Sequence, residues 1–309
     1  MALTDKLTAI GAAIREKTGS TDLLRLDEMP GAIAAIETGG GGGNDELLAG
    51  YFNATITEFR VPNGVTNLME SAFASRNKLT KIDLNEVKTL GSSCFQSCSA
   101  LVDIDTSKVE TMNGYCFRYT PIKTLDLMSL KATTANMCYG MAELEEVKNL
   151  NVNRIYGSCF SGCSKLKTID FSGVTYIHSS AFVNCTALDN IILPDIETIE
   201  TTAFSGGGSG NITVTKIDIG ANCKSIGANA FKFFPNVTAI IVRATTPPTM
   251  ANVNAFNNII SNVSGDPGKY IYVPRDSLEA YWNATNWSAF VGSGNVYRAI
   301  EDYPEITGG

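Results

Sequence analysis

The stretch GSSCFQSCSALVDID, residues 91–105, sets Cys94 and Cys98 on either side of Phe95. Thiols at that spacing could clasp a metal, supply half of a disulfide pair or act as a reactive dithiol. A metal centre needs ligands that converge on one point, and a thiol nucleophile needs a base within hydrogen-bond reach. The chain has 8 cysteines but a single histidine, His178, at a turn position four residues before Phe182. The run GGGGG at 39–43 lacks the lysine and the preceding strand of a phosphate-binding loop. Acidic residues recur singly along the chain rather than as the facing pair that glycoside hydrolysis requires. Where the same letters recur therefore decides what the cysteines do.

They recur with a period. Aligned on an aromatic residue, Phe73, Phe95, Phe117, Tyr139, Phe160, Phe182, Phe204, Phe231 and Phe256 lie 22, 22, 22, 21, 22, 22, 27 and 25 residues apart. An apolar residue follows at +6 in most units (Leu79, Leu101, Leu166, Leu188), then others at +9 and +11, as in Ile82 and Leu84. Apolar pairs around one polar residue predict a half-buried strand in each coil, and stacking the coils makes a parallel sheet. In this frame the position before the aromatic holds Ala72, Cys94, Cys116, Cys138, Cys159, Ala181, Ala203, Ala230 and Ala255, while Cys98, Cys163 and Cys185 share a site three residues after it. Cysteine alternates with alanine, which predicts free thiols packed as small hydrophobes. Equivalent sites form a ladder with rungs roughly 4.8 Å apart rather than a metal cluster, and a rung-to-rung disulfide stays open as the alternative.

Composition narrows the function. With 31 acidic against 24 basic residues the net charge is −7, which lacks the basic footprint of a nucleic-acid binder. No window reaches the 18 apolar residues of a membrane span, and the start, MALTDKLTAIGAAIREK, has no uninterrupted apolar core of the kind a secretory signal carries. We expect no cofactor, no metal and no catalytic residues.

The pattern AFxxCxxLxxIxL…VxxIG, seen in HSSAFVNCTALDNIIL and YGSCFSGCSKLKTIDF, resembles the BspA-type leucine-rich repeats of bacterial surface proteins. ATTPPTMANVNAF followed by YIYVPRDSLEAYWNATNWSAF resembles that family's last coil and C-terminal cap. The resemblance implies an elongated, non-enzymatic binding surface, often used for adhesion. The expected fold class is α+β/repeat: a leucine-rich-repeat solenoid of ~22-residue coils with parallel strands, preceded by a short helical N-terminal segment.

That segment is read from Leu3, Leu7, Ile10 and Ile14, which fall on one helical face, and from Met29, Ile33 and Ile36 in a second short helix. LTAIGAAIREKTGSTDLLRLDEMPGAIAAI resembles the N-terminal segment of phage and prophage tail-associated proteins of Gram-positive bacteria. This divides the chain into a helical attachment segment (1–37), a Gly-rich linker (38–46), the solenoid (47–255), and the last coil with its cap (256–309). The resemblances together imply a tail-fibre or tail-tip accessory protein. Its N-terminal segment would join other phage tail proteins, as a homo-oligomer if it self-associates, and its solenoid would bind a host surface glycan or protein without inserting into the membrane. The alternative is a bacterial cell-surface adhesin or interaction protein, placing the chain on the cell envelope rather than the virion.

Two candidate binding surfaces follow from the repeat. The outward residue of the strands runs Asp83, Asp105, Asp126, Lys148, Asp170, Ile192, Asp218 and Ile241, an acidic stripe that either solubilises the face or takes a cationic or sugar ligand. Departures from the repeat's own consensus form the second: Tyr115 and Met137 two residues before the aromatic, and Tyr119 and Met141 two after. Pointing outward, these four would make an apolar recognition patch. The alternative is that they refill a core distorted where Thr120-Pro121 shortens the step to Ile122.

Overall fold

The structure, a computed structural model, describes residues 57–61, 64–207, 210–256, 259, 268–293 and 296–308. The attachment-segment residues Leu3, Leu7, Ile10, Ile14, Met29, Ile33 and Ile36 and the Gly-rich linker lie outside them. Short strands recur once per coil on two sides of a solenoid, all paired parallel. On the first side Glu58–Arg60, Lys81–Asp83 and Asp103–Ile104 form one ladder, Thr124–Asp126 and Glu146–Lys148 a second. Ile191–Leu193, Lys216–Ile219, Ala239–Val242, Tyr270–Val273 and Tyr297–Ala299 form a third. In KID, residues 81–83, the central Ile is buried and its neighbours are exposed, as the period of two requires.

The third side carries the aromatics. Phe73, Phe95 and Phe117 stack in one run and Phe160, Phe182, Phe204, Phe231 and Phe256 in another, with centroids 5.0–5.5 Å apart and ring planes within 15°. Most of these aromatics are bracketed by residues with positive φ, such as Ser93 (55°) and Ser97 (60°), or Ser180 (61°) and Asn184 (62°). These turns aim each Phe inward and its backbone toward the next coil: Phe73 N–H donates to the Cys94 carbonyl and Phe95 N–H to that of Cys116, both at 2.8 Å. A short polar side chain tolerates that backbone far better than a large one.

The gap between the two Phe runs corrects the sequence alignment. The Cys138 N–H donates to the Cys159 carbonyl at 2.7 Å and the Gly140 N–H to that of Ser161 at 2.8 Å, as Phe95 and Ser97 do to Cys116 and Arg118. Cys138, not Tyr139, therefore occupies the aromatic slot, and the nine coils are centred on residues 73, 95, 117, 138, 160, 182, 204, 231 and 256. Coil 3, from Phe117 to Cys138, is the 21-residue one. Its missing residue lies at Thr120-Pro121, because the buried Ile122 stands five residues after its aromatic whereas Leu79, Leu101 and Leu144 stand six after theirs.

Shifting the frame by one moves Met137 into the small-residue slot before the aromatic and Met141 into the slot of Cys98 and Cys163. Both methionines are 0% exposed. They belong to the core, which corrects the expectation that they form part of a surface patch. A flexible Met beside a Cys fills space that a Phe fills in the other coils. Tyr139, freed from the slot, faces outward.

The short coil also interrupts the ladders. The second-side strands Asn67–Leu68, Thr89–Leu90 and Thr111–Met112 end there, and the ladder resumes with Arg154–Ile155, Tyr176–Ile177, Thr198–Ile199, Ser225–Ile226 and Thr249–Met250. Threonine hydroxyls bridge the two breaks beside the short coil; a further first-side gap, in coil 5, separates Glu146–Lys148 from Ile191–Leu193. The buried Thr106 Oγ1 donates to the Asp126 carbonyl at 2.7 Å and accepts from the Asp126 N–H at 3.2 Å. The buried Thr133 Oγ1 donates to the Arg154 carbonyl and accepts from the Tyr156 N–H, both at 3.0 Å, while Thr134 Oγ1 donates to the Met112 carbonyl at 2.7 Å. Buried backbone groups that lose strand partners need such substitutes.

At the other end the helix Leu278–Asn283 and its flanks close the core. Trp287 packs edge-on to Tyr281 and beside Phe256; its Nε1 donates to the Pro248 carbonyl and Tyr281 Oη to that of Ala244, both at 2.8 Å. Ile300, Tyr303 and Ile306 cover the outer sheet face around Ile241 and Tyr272. Ile241, expected to face solvent, is buried as a result; Asp218, expected there too, is buried and held by both Nε and Nη2 of Arg243 at 2.8 Å.

Candidate functional site

All eight cysteines are free and buried, which decides the opening question for packing. Three of them also donate: Cys98 Sγ to the Phe73 carbonyl (2.9 Å), Cys163 to Cys138 (3.2 Å) and Cys185 to Phe160 (3.1 Å), each reaching one coil back. Burial pushes Cys98, Cys163 and Cys223 up to about 12, leaving no thiolate at neutral pH.

The acidic stripe has a structural purpose. Asp83, Asp105, Asp126 and Asp170 each accept through Oδ1 from the backbone N–H two residues on, at Asn85 (2.8 Å), Ser107 (2.9 Å), Met128 (3.1 Å) and Ser172 (2.9 Å). These Asx turns close the chain reversal after each strand. Hydrogen bonds from Ser107 hold Asp105 below the usual carboxylate range, and those from Ser172 do the same for Asp170. Arg60 pairs with Asp83 at 3.2 Å, and Lys81 with Asp103 at 2.7 Å, so neighbouring charges are offset. At the ladder break an open groove of about 440 Å³ runs between Asp103, Asp105, Lys123, Asp126 and Lys148.

Charge alternates across the short coil on two further rows. Lys131 and Lys88 flank Glu110, pushing it down to about 2, and Lys123 and Lys167 flank Glu145. These Lys-Glu-Lys rows span three coils each and pin coil 3 to its neighbours.

One cation in this region has no acidic partner among the described residues. Arg118 follows the Phe117 slot, and its guanidinium carbon lies 4.5 Å from the Tyr119 ring centre, 5.2 Å from Tyr139 and 5.4 Å from Tyr115. Tyr115 and Tyr139 meet edge to face at 5.6 Å. Arg118 Nη2 donates to Tyr119 Oη at 2.6 Å, while its shielded Nε has no partner. Tyr119 is 56% exposed. Tyr115 and Tyr119 occupy the left-handed turn positions, with φ of 62° and 60°, where other coils place Ser, Asn, Gly or Thr, with Phe233 the one other large residue among those described. Holding a large residue there costs roughly 1–2 kcal/mol each.

The one-residue frame shift hid Tyr139, whereas Arg118, one place after the correctly read Phe117, and a second cluster show only when turn rows are compared between coils. On the second-side strands Arg154 lies 4.7 Å over Tyr176, and His178 packs against Tyr156 and Tyr176 at 4.8 and 4.4 Å. Tyr176 Oη donates to Glu200 at 2.6 Å, and Ser179 donates to it through N and Oγ at 2.9 and 2.8 Å. Burial opposes the Glu200 charge, but these hydrogen bonds outweigh it and hold the carboxyl below its usual range. Tyr156, His178 and Glu200 fill consecutive rungs of one row that holds Gly91 and Gly227 elsewhere, a signal available once the frame is right.

The BspA type leucine rich repeat region matches this chain in six copies, over residues 49–145, 135–211 and 153–264. Among solved structures, a leucine-rich repeat protein from Bacteroides ovatus superposes with a TM-score of 0.50 at 19% identity, covering 79% of this chain and 66% of that one. A leucine rich cell surface protein from Faecalibacterium prausnitzii gives a TM-score of 0.33 at 18% identity, over 73% of this chain and 82% of that one. No curated protein matches the chain significantly. A repeat matched over most of the chain, with stacked Phe, parallel strands and buried Cys/Ala slots, places this chain in the BspA-type leucine-rich repeat family.

Proposed function

We propose that the chain is a non-enzymatic bacterial surface protein whose solenoid recognises a partner through the outward aromatics of coils 3 and 4. The observation that carries this is the pair Tyr115 and Tyr119, two large residues held at positive φ in one coil, where the other coils use Ser, Asn, Gly or Thr apart from the single Phe233. Strain retained at an exposed position points to a role outside folding, and tyrosine with arginine is the composition of interface hot spots. Family membership supports the surface reading over the tail reading, whose attachment segment lies outside the described residues. Among the described residues the carboxylates of the acidic stripe are tied into turns and ion pairs, and the thiols are buried. The test is binding of the fluorescently labelled protein to bacterial and epithelial cell surfaces. Replacing Tyr115 and Tyr119 together with Ser lowers binding at least about tenfold while thermal unfolding stays within a few degrees. Equal binding by the variant contradicts the proposal.

A further inference from the structure

Resting on that reading, we infer that the Tyr115, Arg118, Tyr119 and Tyr139 cluster is a subsite for an acidic sugar, a carboxylated or sulfated unit of a glycan.

Three observations bear on the ligand class. First, Arg118 carries a positive charge on a chain of net charge −7 and makes no ion pair among the described residues, although lysines on nearby rows are paired across the coils. A planar guanidinium with free donors binds carboxylate or sulfate in two-point fashion. Its Nε–H is shielded from solvent and has no acceptor, so an incoming acid group would meet the terminal Nη groups, of which Nη2 donates to Tyr119 Oη.

Second, the surrounding surface is aromatic and amphipathic. Tyr119 is exposed and offers a ring face, and Tyr139 packs beside Arg118. Sugar rings present C–H faces that stack on aromatic rings and hydroxyls that reach phenolic oxygens, which a purely apolar partner surface would leave unpaired.

Third, there is floor space of the right size. The turn row that carries Ser75, Ser97 and Tyr119 continues as Gly140 and Gly162, with φ of 72° and 80°, before Asn184. A Cβ built on Gly140 would sit 3.5 Å from Arg118 Cγ and from Tyr119 Cε1, and one on Gly162 would sit 3.4 Å from Gly140 Cα. Gly140 thus lies under the Tyr119 ring and the Arg118 stem, and Gly162 extends the floor one rung beyond them, about 5 Å at the rung spacing, enough for one pyranose ring. Its acid group would face Arg118.

The row itself supplies a variant that keeps the fold. Asn184 holds φ of 62° in the same row, so Gly162→Asn installs on the shelf a side chain the turn accepts. Saturation-transfer NMR on the full-length protein, with 3′-sialyllactose, digalacturonate and a sulfated disaccharide as probes and lactose as the neutral control, reads binding directly. The inference predicts transfer to at least one acidic probe, at least fivefold weaker transfer to lactose, and loss of the acidic signal in both Gly162→Asn and Arg118→Gln. Acidic-probe binding that survives in both variants, or lactose binding as strong as the acidic probes, overturns the inference. If cell binding depends on Tyr115 and Tyr119 while no acidic probe binds, the acidic-sugar inference fails and the recognition reading stands; if neither is seen, both fail.

Discussion

Coils 5–9 and coils 3–4 are built from the same repeat, yet they use it in opposite ways. In coils 5–9 five phenylalanines stack without a break, the second-side strands pair rung to rung, the first-side strands do so from coil 6 on, and the turn positions beside the aromatics are mostly small. In coils 3–4 one residue is missing, Cys138 replaces the stacked ring, both ladders stop, and buried threonines carry the hydrogen bonds. The outward positions there hold three tyrosines and an arginine that makes no ion pair among the described residues. The regular region spends its side chains on packing; the irregular one gives up regularity, and the groups it turns outward serve no packing purpose. Irregularities of this kind concentrate beside functional sites in other β structures as well.

Substitutions can break that contrast, beginning with the regular stack. Phe204→Ala removes a ring sandwiched between Phe182 and Phe231 and should cost about 3–5 kcal/mol, measured by chemical denaturation, with ligand binding by coils 3–4 unchanged per folded molecule. Within the irregular region, Thr133→Val keeps the shape but strands the Arg154 carbonyl and the Tyr156 N–H. A loss of roughly 1–3 kcal/mol is expected, with faster amide exchange at Tyr156. Cys138→Phe tests the frame itself. Met137 already fills the space, so the ring overpacks the core by about 1–3 kcal/mol, and adding Met137→Ala should recover most of the loss in a double-mutant cycle.

How far the sequence could be read is clear from these same residues. The period, the parallel strands and the burial of the cysteines are legible because each is repeated many times and one exception cannot mask it. Coil 3 was misread because a one-residue deletion followed by an aromatic one place late leaves the spacing looking regular: Tyr139 sits where a Phe is expected. Backbone hydrogen bonds, not letters, show that Cys138 holds the slot. That error placed Met137 and Met141 on the surface and hid Tyr139. The covering of Ile241 by Ile300, Tyr303 and Ile306 is a long-range contact with no periodic signature.

A smaller effect separates the acidic stripe from the site. The folded-state carboxyls of Asp105 and Asp170 sit below their unfolded values, so their stabilisation is fully present above about pH 4 and is lost as pH falls through the lower folded values. Asp105→Asn keeps the turn acceptor but cannot titrate. It should flatten the acid limb of the stability profile slightly, and binding at neutral pH should not change if the stripe is architectural.

The most direct test of the central claim, that coils 3–4 trade local stability for recognition, is to measure thermal unfolding and surface binding on one variant, Tyr119→Asn. Asparagine suits the left-handed turn and lacks the ring. The account predicts a melting temperature equal to or above that of the parent together with at least about tenfold weaker binding. A lower melting temperature with binding intact would show that Tyr119 serves the fold and would contradict the account.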